Sequence, residues 1–481
     1  MFFNSYVFIF LFLPIVWVGY FLFNRYRLIE LAKYWLLGSS LFFYAYWNVS
    51  YLPLILVSIL VNHAITTQIL DEKNERHKKG LFWGGLAFNL GLLGYYKYMD
   101  FFLDNFGALT TIHFEPLRII LPLGISFYTL QQVAYLIDVH QGVAGEKRFI
   151  DYALFVSFFP YLLSGPIGHY SEIMPQFRSL RAKLFNKRNV SLGVFIFIVG
   201  LCKKVLIADT LSPWINEAYR HTDQLHFFSA WATSVGYTLQ LYYDFSGYSD
   251  MAIGLGHMFN IRLPQNFNSP LRAANINDFW ARWHMTLSLF IRTYIFTPIV
   301  RCMPSSAFRY SMLSMFLAMT IAGIWHGAAW TFVVYGMIHG LAIVVHYNWK
   351  KKKKKLPYML GWLITFNFVN FTFIIFRSRT LTEASNVVKG MLGLQGLQFP
   401  KMGVKFISDM GFKMGPYMTN DENLQLALTL AGLAIIFKAD NAMKLQERFL
   451  PRKRLAIIAG LAFVMCLFGL NRVSEFIYFN F

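Results

Sequence analysis

Residues 320–340 read TIAGIWHGAAWTFVVYGMIHG, an apolar run long enough to cross a bilayer that nevertheless carries His326 and His339. An imidazole is an expensive filler for a lipid-facing helix, so these histidines are expected to face protein. Gly323, Gly327, Ala328 and Ala329 remove side-chain bulk beside His326 and allow close helix approach. A helical reading puts His326 and Trp330, four residues apart, on one face. The stretch therefore points to packed membrane helices with a polar group held between them. A second pair, ARWHM at Ala281–Met285, places His284 in comparable surroundings.

The surrounding chain supports the same class. Its 481 residues are 56% hydrophobic and 14% charged, and the hydrophobicity runs from end to end rather than forming one anchor. Stretches long enough to span appear at 6–23, 31–48, 51–70, 81–99, 118–137, 191–209, 229–250, 311–333, 358–376, 424–438 and 455–471. The expectation is an all-α polytopic membrane protein of about 10–13 crossings. Two interrupted apolar stretches, 150–163 and 287–301, read as spans or as re-entrant elements buried among helices, where broken backbone is tolerated. The whole chain reads as one integral-membrane domain, with N-terminal helices at 1–117, a core at 118–350 and C-terminal helices at 351–481.

Charge orients this arrangement. Arg25, Arg27 and Lys33, then Lys73, Arg76, Lys78 and Lys79, then Arg178, Arg181, Lys183, Lys187 and Arg188, then Lys350–Lys355 form basic segments between spans. The positive-inside bias puts them in the cytoplasm. The 99–117 loop has Asp100, Asp104 and Glu115 but no Lys or Arg, and suits the other side. Both termini then lie outside, the stretch 150–163 becomes re-entrant, and the Gly-rich 377–423 loop is the longest external segment.

The net charge of +20 does not mark a nucleic-acid binder, because it sits in short juxtamembrane loops beside anionic lipid. Such charges could also gather a phosphorylated cofactor. The three cysteines, Cys202, Cys302 and Cys466, form no Cys-x-x-Cys arrangement, and the histidines show no His-Glu-x-x-His motif, so neither a disulfide framework nor a metal centre is expected. No phosphate-cradling glycine loop followed by Lys-Ser/Thr accompanies the central segment, which removes support for nucleotide hydrolysis.

From Leu239 to Arg292 the chain reads LQLYYDFSGYSDMAIGLGHMFNIRLPQNFNSPLRAANINDFWARWHMTLSLFIR, a density of acids, amides and arginines costly in lipid unless they line a cavity or satisfy one another. In DFSGYSD, Gly247 would let the backbone bend, and Asp244, Ser246 and Asp250 either form a structural network or orient a donor. RLPQNFNSPLR, with Pro264 and Pro270, predicts a fixed turn-rich connector. Asn275 or Asn277 would cap the helix that follows, placing Trp280 and His284 on one face. Arg282 is suited to a phosphate or a salt bridge. His339 is offset from His326 on a helical projection, and a direct role for it is secondary.

At these residues the chain resembles the membrane-bound O-acyltransferase family, within it the bacterial branch containing alginate O-acetyltransferase and the D-alanyl transfer protein of teichoic acid modification. The resemblance is carried by LPLGISFYTLQQVAYLIDV at 121–139, SFFPYLLSGPIGHY at 157–170, GLCKKVLIAD at 200–209, YDFSGYSDMAIGLG at 243–256, NFNSPLRAANINDFWARWH at 266–284, GIWHG at 323–327 and FIYFNF at 476–481. It is closer to the polysaccharide O-acetyltransferase members, especially in the central block and terminus. The fold it implies is a ring of transmembrane helices around a thin central reaction chamber, where a cytoplasmic acyl donor meets an acceptor from the other side.

The resemblance implies that His326 is the principal catalytic histidine and His284 the second one. Trp280, Arg282, Trp325, Asp244, Ser246 and Asp250 are expected to line the chamber or meet substrate, and Lys203, Arg262 and Arg272 to meet the donor. Acetyl-coenzyme A is the implied donor, with an acyl carrier protein as the alternative taken from the D-alanyl branch. Implied partners are membrane lipids and a polysaccharide, or an extracytoplasmic acetyltransferase that relays the group, in a bacterial cytoplasmic membrane. The sequence departs from the branch at Ala281, where arginine is common, and at Thr293, where an acid often follows the arginine. These departures bear on acceptor choice. A polysaccharide transporter or an export-complex scaffold is the competing reading from another class, permitted by the polar midsection but without a visible inverted repeat.

Overall fold

A computed structural model describes residues 1–110, 112, 114–305, 307–353, 356–398 and 420–470. The terminal FIYFNF motif, Lys354 and Lys355, and most of the second half of the 377–423 loop lie outside the described residues. Among the described residues the regular structure is helical throughout.

Six helices among the described residues are long and apolar enough to cross a membrane: Phe8–Arg25, Val49–Asp71, Lys187–Arg220, Phe308–His326, Trp330–Lys351 and Tyr358–Arg377. The architecture is thus all-α and multi-span. The other expected crossings form helices that are shorter, such as Ile29–Ala45, Ile125–His140 and Lys453–Gly469, or richer in polar residues, such as Glu75–Leu93 and Phe227–Met258. Large apolar side chains such as Phe10, Leu11, Ile15, Val18 and Leu22 are exposed along one helix, as lipid contact requires. Residues 99–110, expected as loop, form a helix instead, Met99–Thr110.

The chain divides into two compact units, each built from separate stretches of sequence. The first comprises Met1–Leu201, Tyr248–Gln265 and Gln446–Leu470. Its core joins Phe8, Phe12, Phe43 and Phe159, with Phe12 and Phe159 edge-to-face at 5.3 Å between ring centroids. Asn62 and Asn89 exchange hydrogen bonds of 3.2 and 2.6 Å, satisfying buried amides across two helices where water is scarce. The stretch 150–163 is broken as expected: Phe149–Ser157 stops, Phe158 turns to ψ 112°, and Phe159–Leu162 resumes. The break is buried, and the freed Phe159 N–H donates to Ser40 Oγ at 3.1 Å, while Pro160 has no N–H to satisfy.

The second unit comprises Cys202–Gly247 and Asn266–Leu445, with Asn471–Phe481 beyond the described residues. Its tightest feature is the antiparallel pair Phe308–His326 and Trp330–Lys351. A Cβ placed on Gly323 would sit 2.5 Å from Phe332 O and 2.7 Å from Gly336 Cα, so the two glycines let one backbone rest on the other. Backbone cannot yield as a side chain can. Gly336→Val is therefore expected to cost about 3 kcal/mol or more of stability, read as a lowered thermal midpoint in detergent; an unchanged midpoint would contradict this packing.

The same unit secures its polar groups by pairing. Asn370 accepts from Thr238 Oγ1 at 2.8 Å and donates to Ser234 Oγ at 2.8 Å. Arg272 donates to Ile436 O and Ala439 O, which are carbonyls at the end of Asn420–Lys438 that the helix itself leaves unpaired.

Candidate active site

The segment that delivers His284 is built by its asparagines. Asn275 accepts from the Asp278 N–H at 2.9 Å and caps the short helix Ile276–Trp280. Asp278 also pairs with Arg282 at 2.7 Å, so the guanidinium is engaged by a carboxylate one turn away. The connector before it is fastened to the turn that follows: Asn268 N–H donates to Arg282 O, and Met285 N–H to Asn266 O, both at 2.9 Å.

That fastening turns His284 out of the helix. It sits in the left-handed region, at φ 44° and ψ 55°, and precedes Met285–Phe290. Trp280 and His284 consequently do not share a helical face. A non-glycine residue held there is strained by about 1 kcal/mol or more, and such strain persists only where the surroundings impose it.

The His284 ring is fully buried, with Phe245 edge-on at 4.7 Å. Its Nδ1 lies 3.2 Å from Asn266 Oδ1. Thr286 contacts that same oxygen, through its N–H at 3.3 Å and its hydroxyl at 2.7 Å. A backbone N–H can only donate, which fixes the Asn266 atom as oxygen, so His284 Nδ1 carries the hydrogen and Nε2 holds a lone pair. Nε2 is buried without a hydrogen-bond partner among the described residues.

Burial also pushes the His284 imidazole down, to about 3. Its folded pKa lies below the unfolded value of roughly 6.5, so the unfolded chain takes up the proton first. Stability is thus full above about pH 6.5 and falls as pH drops toward 3. His284→Gln should show a smaller loss of thermal midpoint between pH 7.5 and 5 than the unaltered chain. Parallel curves would mean that His284 is not held neutral.

His326 ends its helix. Gly327 and Ala329 are extended, at φ −167° and −152°, and the next helix begins at Trp330. The break separates His326 from the face of Trp330: His326 is 5% exposed and Trp330 is 57% exposed. Only glycine fits at 327, because the position lies against the Phe332 ring, 2.1 Å from where a Cβ would stand. The His326 ring meets Trp325 at 5.1 Å, Phe376 at 5.3 Å and Tyr335 at 6.0 Å between centroids.

The two histidines belong to one aromatic cluster. From His284 it runs through Phe245, Trp283, Phe373 and Phe376 to His326, with neighbouring centroids 4.7–6.5 Å apart. A second route passes from His326 through Tyr335 and His339 to Trp280. Trp280 Nε1 donates to His339 Nδ1 at 3.2 Å, which leaves His339 Nε2 to donate to Thr372 Oγ1 at 3.0 Å. His339, secondary in the sequence, is the pin between the Trp280 segment and two long helices.

Asp244 is also brought into this unit's polar interior. Lys204 lies 2.7 Å from both Asp244 and Asp209, all three buried. The neighbouring Lys203, expected to meet a donor, is half-buried. Lys204 was missed because its two acid partners come from one residue five positions on and another forty positions away. Gly247 does not bend the chain, since Phe227–Met258 is one uninterrupted helix. Ser246 is buried, and its hydroxyl has no hydrogen-bond partner among the described residues. Asp250 and Arg262 belong to the first unit, where Asp250 is buried and the Arg262 backbone bonds both ways with the Gln176 side chain. Arg272 is spent on helix-end carbonyls, as described above.

Residues 143–381 match the membrane-bound O-acyltransferase family. The chain is 40% identical to a peptidoglycan O-acetyltransferase of Helicobacter pylori, over 100% of this chain and 97% of that protein. It is 35% identical to a probable alginate O-acetylase of Azotobacter vinelandii, over 81% of this chain and 78% of the other. A teichoic acid D-alanyltransferase of Bacillus subtilis is 30% identical, over 56% of this chain and 71% of its own length.

Proposed function

Because the chain belongs to the membrane-bound O-acyltransferase family, we propose that it moves an acetyl group from cytoplasmic acetyl-coenzyme A to a hydroxyl of an extracytoplasmic polysaccharide, directly or through a partner outside the membrane. Peptidoglycan is the favoured acceptor, on the strength of the end-to-end likeness to a peptidoglycan O-acetyltransferase. The observation that carries the reading is His326, buried at a helix end inside the aromatic cluster that also holds His284. The implied chamber would lie beside the aromatic cluster that holds both rings.

In this mechanism neutral His326 accepts the proton of the acceptor hydroxyl while its oxygen attacks the thioester carbonyl carbon. The tetrahedral intermediate collapses, the carbon–sulfur bond breaks, and the departing thiolate recovers the proton from His326 as a thiol. The product is an acetyl ester and the catalyst is restored. His284, with its lone pair inward, orients a hydroxyl by accepting from it. It is not an oxyanion donor, since its one N–H is given to Asn266. Trp280 is likewise committed to His339. The oxyanion is then assigned to backbone N–H groups at the helix break after His326.

Reconstituted protein given isotope-labelled acetyl-coenzyme A and peptidoglycan fragments should yield a product heavier by one labelled acetyl group. The Bacillus subtilis relative supports a second reading, in which a carrier protein delivers D-alanine. Mass separates the two: an alanyl increment, with no acetyl increment, would replace the first reading by the second.

A further inference from the structure

A basic cleft in the first unit lies outside everything assigned so far. It is an open cleft of about 610 Å³ lined by Arg27, Lys33, Arg148, Arg178 and Lys183, with Glu30 the one acid among the described lining residues. Three of the cations are already spent. Lys33 meets Asp151 at 2.7 Å, Arg148 pairs with Glu30, and Arg178 pairs with Glu146. Arg27 and Lys183 have no carboxylate partner among the described residues.

Arg27 is also held against its backbone preference. It occupies the left-handed turn that ends Leu13–Arg25, at φ 61°, with Leu28 N–H donating to Phe23 O at 2.9 Å. Glycine is the usual residue at this place because it carries no steric penalty there. Lys183 is half-buried at the end of its own short helix; burial and the Lys33 ammonium lower its pKa against the opposing pull of Glu30 and Asp151. Five cations around one acid, two of them outside any ion pair among the described residues, make a cleft whose lining favours an anion.

We propose that this cleft binds a phosphate group at the cytoplasmic face, with Arg27 and Lys183 as its recognition pair. The segments carrying them are the ones the positive-inside bias assigns to the cytoplasm. Two sources present the same chemistry there: the phosphodiester headgroup of an anionic lipid, and a phosphate of a soluble metabolite. The arginine offers a planar pair of donors and the lysine a compact charge, a combination that fits either. The proposal does not depend on the acyl-transfer reading.

Full-length protein in a zwitterionic detergent would be titrated with dioctanoyl phosphatidylglycerol and, separately, with pyrophosphate, reading binding by native mass spectrometry. The chain should bind at least one of them, and R27Q/K183Q should weaken that binding about tenfold or more. R181Q/K187Q, which removes the same charge from exposed neighbours outside the cleft, should bind as the unaltered chain does. Loss of the lipid alone assigns a headgroup, and loss of pyrophosphate alone assigns a soluble phosphate. No binding by the unaltered chain, or equal weakening by both double variants, would overturn the proposal.

Discussion

Replacing His326 with alanine should lower acetyl transfer by about a thousandfold or more, the loss expected when a positioned general base is removed and solvent cannot replace it. His326 is 5% exposed and surrounded by Trp325, Tyr335 and Phe376, so bulk water has poor access to the reacting proton. The substitution opens a small cavity among rings, and the thermal midpoint should fall only modestly. The two readouts separate the roles. A folded His326→Ala protein with near-normal transfer would remove His326 from the chemistry, whereas loss of fold and activity together would make it structural. His326→Gln, which keeps bulk and a hydrogen bond but cannot accept a proton at neutral pH, should be as inactive as alanine and better folded.

The second large effect concerns stability. Lys204 stands between two buried carboxylates, Asp209 and Asp244, 2.7 Å from each. Lys204→Met preserves much of the side-chain volume and takes the buried cation away from both acids, which should cost about 3–5 kcal/mol. Adding Asp209→Asn and Asp244→Asn removes the two negative charges, and the triple variant should recover much of the lost thermal midpoint. The recovery is the informative part, because it isolates electrostatics from packing. A triple variant no more stable than Lys204→Met alone would show that the lysine acts through its alkyl stem.

The membrane helices and the histidine motifs were legible because they rest on local signals: apolar length, basic segments between spans, and short patterns such as GIWHG. The buried break at 150–163 was legible for the same reason, since Pro160 and the flanking basic segments conflict with a simple crossing. The sequence was less informative where the decisive contact is distant. A helical projection placed Trp280 with His284 and His326 with Trp330. Both pairings fail because the chain leaves the helix at His284, where Met285 N–H is tied to Asn266 O, and at Gly327, where the backbone is extended. Gly247 read as a bend, yet the helix runs through it, because a single glycine costs only about 1 kcal/mol in a helix held by its neighbours.

The site shows the same division. His284 and His326 could be picked out by residue type and setting, but the tautomer of His284 could not, since it depends on Asn266 eighteen residues earlier and on the Thr286 N–H. His339 looked peripheral on a wheel and is instead bonded at both nitrogens. Arg272 looked available for a phosphate and instead caps the carbonyls of a helix more than one hundred and sixty residues away. Long-range satisfaction of polar groups is what a one-dimensional reading lacks, and in a membrane protein it decides which polar residues remain for function.

The central claim is that the chain carries an acetyl group across the membrane and leaves it on a glycan hydroxyl. The most direct test uses sealed vesicles containing oriented protein, with radiolabelled acetyl-coenzyme A on the cytoplasmic side only and peptidoglycan fragments, with any required acceptor partner, on the other. The account predicts ester-linked label on the glycan, released by mild base, and none with His326→Ala. Label that stays with the donor, or appears only as free acetate while the acceptor is unmodified, would contradict it.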